Sequence, residues 1–250
     1  MKREIIVGLN PVLEAIAAGR PVRRVLVSRE SDRDRIADLA RRRRIPVEFV
    51  TKRRLDEIYG GPHQGILAIA APRAYARLSD VLEGARGRGE DPFLVLLDGV
   101  EDPHNLGAVA RTALAAGAHG IVVPEREAAG ISPGAHKASA GALARIPVVL
   151  AVNLATAIRE LKRENVWIGV AEASGKPWDE VSFTGPLALV LGGEARGVRK
   201  LPASLADFSV ALPMRAGESL NVSVAAGILF YERMRQQRAK GKGQGSVRKG

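Results

Sequence analysis

Apolar positions follow two rhythms along this chain. Over residues 1–72 the short runs EIIVG, RRVLVS, PVEFV and GILAIAA alternate with PVLEAIAAG, DRDRIADLARRRR and KRRLDEIYG, whose apolar residues recur at helical spacing. Gly19, Pro46, the N-cap candidate Thr51 and the break at Gly60, Gly61 and Pro62 punctuate them, so the pattern predicts a compact α/β unit closing at Pro72. Residues 73–92 are polar apart from Leu78, Val81 and Leu82, and read as a linker or bridging helix. From Phe93 the runs FLVLLDGV, GIVVP, IPVVLA, WIGVAEA, LALVLGG and FSVALP have the near-continuous apolar character of buried parallel strands. Helical patterns lie between them, and a last helix begins near Asn221. Residues 93–235 are therefore predicted to form an open, mostly parallel sheet with helices on both faces. Residues 236–250, QQRAKGKGQGSVRKG, have nothing to bury and read as a disordered basic tail.

Composition narrows the chemistry. The 250 residues include no cysteine, which excludes disulfides, thiolate metal sites and a cysteine nucleophile, and predicts a cytoplasmic home. The start MKREIIVGLN has too short an apolar run for a signal peptide, and no run approaches the ~20 residues of a membrane span. Net charge is +11, unevenly spread: residues 1–72 carry 15 Lys and Arg against 9 Asp and Glu, and residues 233–250 carry 7 against none. Positive ends around a near-neutral middle suit a polyanion held at the periphery, although such charge also serves plain solubility.

Familiar nucleotide motifs are absent. The first strand–helix turn of the second domain, DGVEDPHNLG, is neither a dinucleotide fingerprint nor a P-loop, and Val198 stands where the lysine of a P-loop would be. No G-x-S-x-G elbow occurs, and His63, His104, His119 and His136 lack the spacing of a zinc protease, so no metal is expected. Three segments stand out instead. In residues 96–123, Asn105 falls at the start of a helix of small apolar residues that permit close packing, where it would serve as N-cap; Arg111 is its lone charge, reaching solvent or a site that wants a guanidinium. In residues 187–198 an apolar strand ends in Gly192 and Gly193 followed by Glu194, at the strand end where open α/β sheets bind ligands, though a tight turn would use the same glycines. In residues 212–232, Ser219 and Asn221 precede a helix apolar on almost every side, which must be buried, against this chain or a second subunit.

Together, DGVEDPHNLGAVARTA, VLGGEARGV and LPMRAGESLNVSVAAGI resemble the three motifs of the SpoU (TrmH) branch of the SPOUT RNA ribose 2′-O-methyltransferases. VGLNPVLEAI and HQGILA resemble the ribosomal-protein-like (L30e-like) α/β RNA-binding domain that precedes the catalytic domain in the 23S rRNA guanosine-2′-O-methyltransferase subgroup. The resemblance implies S-adenosylmethionine as methyl donor, RNA as partner, a trefoil-knotted SPOUT domain and a homodimer joined near the cofactor sites. It aligns Asn105, Arg111, Glu194, Ser219 and Asn221 with the family's active-site residues, and Gly192, Gly193, Leu212 and Leu220 with its cofactor contacts. Arg111 would assist loss of the hydroxyl proton or anchor the target's phosphate; Asn105 and Asn221 would orient Arg111 and the ribose, Ser219 the substrate, and Glu194 the cofactor loop. The pair Ala195 and Arg196 departs from the glycine that relatives often carry there. A transfer-RNA methyltransferase and a nonenzymatic RNA-binding protein are the alternatives; a separate N-terminal domain favours ribosomal RNA.

Overall fold

The structure, a computed structural model, describes residues 4–28, 34–71, 75–194, 196–215 and 219–246, without the side chains of residues 34, 35 and 241–246. The N-terminal elements are β1 (Glu4–Val7), α1 (Leu9–Ala17), β2 (Val22–Ser28), α2 (Asp34–Arg42), β3 (Val47–Val50), α3 (Lys52–Ile58) and β4 (Ile66–Ala70). They form a sheet of order β1-β4-β2-β3, in which β4 runs antiparallel to β1 and β2 while β2 and β3 are parallel. Period-two alternation sends Val25, Val27, Ile66 and Ala68 against α1 and α2, and Leu26, Leu67 and Ile69 against Leu55 of α3. Helices therefore cover both faces, which explains why β4 is buried along its whole length.

The second domain continues with α4 (Leu78–Arg86), β5 (Phe93–Asp98), α5 (Pro103–Ala115), β6 (Gly120–Pro124), α6 (Pro133–Ala138), α7 (Ala142–Arg145), β7 (Val148–Ala151), α8 (Leu154–Arg163), β8 (Trp167–Pro177), β9 (Leu187–Gly192), α9 (Lys200–Ser204), β10 (Phe208–Ala211) and α10 (Val222–Ser246). Its six strands, ordered β10-β8-β9-β5-β6-β7, are all parallel. The chain runs outward from β5 through β6 to β7, then crosses back, so the strand order reverses where β5 meets β9. There Asp98 lies beside Gly192 at the carboxyl ends, the place where such sheets hold ligands. Helices α5 and α10 cover one face, with Val109, Ala113, Ala226 and Phe230 in its core; α4 and α8 cover the other, with Leu82, Ile158 and Leu161. Among the described residues no helix is long and apolar enough to cross a membrane.

Two local expectations are corrected and two are narrowed. Of the linker or bridging helix expected over residues 73–92 the structure has the helix, α4, whose Leu78, Val81 and Leu82 are buried against the sheet's Leu94 and Leu96, so it is part of the second domain's core. Asn105 is not the N-cap of α5: Asp102 accepts from the His104 amide at 2.8 Å and Pro103 occupies the first turn. The tail expected to be disordered from residue 236 is helical as far as Ser246. Polar anchoring replaces apolar burial there, since the Gln236 side chain accepts from the Phe183 amide at 2.8 Å and donates to the Val181 carbonyl at 2.9 Å. Finally, α10 is not buried all round within one chain, because Val224, Ile228 and Tyr231 stay exposed along one stripe.

The domains are joined by charge and by close packing. Arg20 and Glu4 of the first domain pair at 2.7 Å, and the fully buried His136 of α6 donates from Nε2 to the same carboxylate. Ala144 of α7 completes the first domain's core. On its other side α6 meets α5 at Gly107, where a Cβ would sit 2.5 Å from the Ala135 carbonyl oxygen; only glycine permits that approach.

Candidate active site

Three side chains from distant segments converge beyond the β5–β9 reversal. Asn105, in the first turn of α5, donates from Nδ2 to Glu194 Oε1 at 3.1 Å. Asn221 donates through Nδ2 to the same oxygen and to Asn105 Oδ1, the latter at 3.0 Å. Its own Oδ1 accepts from the Ser223 amide at 2.9 Å and the Ser223 hydroxyl at 2.6 Å, so Asn221 caps α10 while it faces the cluster. The carboxylate of Glu194 thereby ties the loop after β9 to the starts of both helices.

Two concavities meet at this cluster. One, of about 620 Å³, opens at the carboxyl ends of β8, β9 and β10 and is lined by Gly192, Gly193, Leu212, Met214, Ser219 and Leu220, among others. The residues expected at the cofactor thus come together, with Ser219, in one pocket. The bare backbone of its glycines is enforced: a Cβ on Gly192 would lie 2.0 Å from the Gly197 carbonyl carbon, and one on Gly193 2.0 Å from the Gly99 oxygen. β8 supplies another wall, because its pairing with β10 skips from Val170 to Lys176 and leaves Ala171, Glu172 and Ala173 facing the cavity. The second concavity, about 470 Å³, contains Asn105, Asp102, Arg196 and Arg199. Gly193, Glu194, Gly197 and Val222 line both.

Arg111 stands apart. It is exposed on α5, lines neither concavity, and makes no hydrogen bond or ion pair among the described residues. Asn105 and Asn221 contact Glu194 and each other, and neither hydrogen-bonds Arg111, which with the ribose they were expected to orient. Ala195 and Glu218 lie outside the described residues. Sequence reasoning also missed the support beneath the loop. Asp98, fully buried at the end of β5, accepts from the Arg199 amide at 2.8 Å and from Arg199 Nε at 2.7 Å, and Arg199 reaches Glu127 at 2.8 Å. The Asp98 carboxylate raises the Arg199 pKa, with burial opposing it. An aspartate ending an otherwise apolar strand was the available signal, since a buried carboxylate needs a partner. Arg196, without a hydrogen-bond partner among the described residues, is a further cation at the second concavity.

Residues 92–231 match the SpoU rRNA Methylase family, and residues 5–76 match a domain described as RNA 2′-O ribose methyltransferase substrate binding. The putative TrmH family tRNA/rRNA methyltransferase YacO of Bacillus subtilis is 38% identical over 96% of this chain and 98% of its own length. The 23S rRNA (guanosine-2′-O-)-methyltransferase RlmB of Xylella fastidiosa is 43% identical over 94% of this chain and 98% of its own. The crystal structure of the SpoU methyltransferase AviRb from Streptomyces viridochromogenes, in complex with AdoMet, superposes with a TM-score of 0.81 at 25% identity, over 95% of this chain and 91% of that one.

Proposed function

The chain belongs to the SpoU rRNA methylase family and is an RNA methyltransferase, and on that premise we propose that it methylates a ribose 2′-hydroxyl, on a guanosine of 23S ribosomal RNA, from S-adenosylmethionine. The observation that carries this reading is the pair of concavities sharing the Glu194 wall. The larger lies within the roughly 300–1,000 Å³ of small-molecule sites and offers what the cofactor needs. Leu212, Met214 and Leu220 supply apolar cover, and the uncovered backbone at Gly192 and Gly193 lets a flat ring approach. When bound there, S-adenosylmethionine supplies a methyl group on a sulfonium centre, open to in-line displacement without a metal.

The target nucleotide is assigned to the second concavity, across that wall. Arg196 at its edge takes a phosphate, and Ser219 presents its hydroxyl to the ribose from the cofactor side. Asn105 and Asn221 hold Glu194, which fixes the loop along the edge where the two concavities meet and so sets the alignment of donor and acceptor on which transfer depends. For Arg111 the phosphate-anchoring role is favoured, because its exposed guanidinium offers a planar fork of donors that suits a phosphate and has no partner among the described residues.

A second copy of the chain covers Val224, Ile228 and Tyr231, an exposed apolar stripe on the helix that packs against the one carrying Arg111. Residues 1–72 form the RNA-binding domain, L30e-like in its fold, and α4 together with residues 93–235 the SPOUT domain. Insertion of β9 between β5 and β8, with the chain returning into α10, supports a trefoil-knotted path there. The ribosomal substrate places the protein in the cytoplasm.

Methyl-labelled S-adenosylmethionine should be incubated separately with unmodified ribosomal and transfer RNA, and the alkali-resistant linkage mapped. Label at a single 23S guanosine is expected. Label confined to transfer RNA would overturn the substrate; label absent from both, with RNA bound, would overturn ribose transfer.

A further inference from the structure

The first domain contains a concavity of about 790 Å³ that methyl transfer does not use, walled by Gly60, Gly61, Pro62, His63, Gln64 and Gly65, with Ser28 at the end of β2 and Lys52 and Asp56 on α3. His63 is only 4% exposed, and its Nδ1 accepts from the Gly65 amide at 2.9 Å. With Nδ1 accepting, Nε2 is the donor and faces Asp56 Oδ1 at 2.9 Å. The carboxylate is held in place by a buried partner while remaining more than half exposed to the cavity. Beside it, Gln64 adopts a left-handed backbone (φ +52°), unusual for a residue with a side chain, and its exposed amide makes no hydrogen bond among the described residues. Lys52 is likewise unpaired there, whereas its neighbours Arg53 and Arg54 both engage Glu57.

A carboxylate inside a cavity of a positively charged domain is the wrong group for a phosphate. Its preferred complement is a pair of adjacent N–H donors. Guanine, through N1–H and the N2 amine, is the one RNA base that presents two such donors on its Watson–Crick edge, and that edge is accessible when the base is unpaired. We propose that this cavity binds an unpaired guanosine of the RNA, with Asp56 accepting from the base edge, Gln64 completing the contact and Lys52 taking a neighbouring phosphate. The open wall at Gly60, where nothing lies within 4 Å of the space a Cβ would take, leaves room for the ring. This deepens the RNA reading of the previous section but concerns a guanosine bound by the first domain, separate from the methylated one.

The test is the affinity of the full chain, without cofactor, for short oligouridines carrying one guanosine, inosine or adenosine. Guanosine should bind about tenfold more tightly than adenosine, with inosine between them because it lacks the N2 amine. Asp56→Asn should abolish that ratio while S-adenosylmethionine binding is retained. Since Asp56 also partners a buried histidine, Gln64→Gly provides the second variant: it removes the amide, suits the backbone conformation, and should reduce the ratio without loss of thermal stability. Lys52→Ala should weaken all three oligomers alike. Equal affinities in the parent chain, or an unchanged ratio in both Asp56→Asn and Gln64→Gly, would overturn the proposal. Guanosine monophosphate competing as well as the oligomer would also overturn it, by moving the site from RNA to the free nucleotide. Methyl transfer is not read in this assay, so its failure and the failure of the transfer reading remain distinct.

Discussion

Glu4 and Glu194 both accept hydrogen bonds from side chains of distant segments, yet the first is sealed between domains and the second stands open at the junction of two pockets. Around Glu4 the partners are ionic or ionisable: the side chains of Glu4, Arg20 and His136 are 10%, 8% and 0% exposed. Burial pushes the Glu4 carboxyl up, but hydrogen bonds from His136 and Arg20, reinforced by their charge, outweigh it and hold the group down at about 2. Around Glu194 the partners are neutral amides with exposed faces. A buried ionic cluster fixes one arrangement of two bodies and has no room for a ligand. An open amide cluster fixes a loop while leaving its surface available. The two are mechanically linked, because α6 carries His136 on one side and contacts Gly107 of α5, the helix of Asn105 and Arg111, on the other.

The largest response should come from Arg111, which lies outside the open cluster on the helix that carries Asn105 and is assigned the target's phosphate. Arg111→Ala should lower single-turnover methyl transfer by about 10²–10³-fold with S-adenosylmethionine affinity and melting temperature unchanged. Near-normal turnover would remove Arg111 from the reaction.

The buried region should respond in stability instead. Glu4→Gln leaves Arg20 without a counter-charge and should cost about 3 kcal/mol in thermal or denaturant unfolding. The same carboxyl has a pH signature. Its folded pKa lies below the ordinary 4.5, so its stabilisation is complete above that value and is lost as pH falls toward about 2. Melting followed over that window should show a decline that Glu4→Gln lacks.

Gly193→Ala probes the wall of the open region. Its Cβ would strike the Gly99 oxygen, so cofactor affinity measured by calorimetry should fall about tenfold, with roughly 1–3 kcal/mol lost from stability. The smallest effect belongs to the surface. Charge reversal at Arg42 and Arg43, exposed at the end of α2, should flatten the salt dependence of RNA affinity by about one unit of slope for each phosphate these side chains cease to neutralise. An unchanged slope would remove these arginines from the RNA interface.

Much of this organisation could be read from the residues. The unbroken apolar runs at Phe93–Asp98 and Leu187–Gly192 are the central strands, and the small residues of α5 do mark a close approach, at Gly107. What escaped depends on long-range pairing. The cap of α5 is the exception: Asp102 followed by Pro103 is a local start signal that was legible and was passed over for Asn105. The helix α10 outlasts its apolar stripe because Gln236 bonds to a strand-end segment, at Val181 and Phe183. No local pattern links Glu4 to His136, and no periodicity reveals that β9 inserts between β5 and β8. At the site, types and positions were legible while orientation was not: Asn105, Glu194 and Asn221 meet, and Arg111, on the same helix as Asn105, does not join them.

The division of labour between the two glutamates is tested most directly by measuring single-turnover methyl transfer and thermal unfolding on the same preparations of Glu194→Ala and Glu4→Gln. Glu194→Ala should lose about 10²-fold in rate and keep its melting temperature within about 2 °C. Glu4→Gln should melt roughly 6–12 °C lower while its rate per folded molecule stays within about threefold of the parent. Loss of stability with unchanged rate in Glu194→Ala, or loss of rate with unchanged stability in Glu4→Gln, would contradict the account.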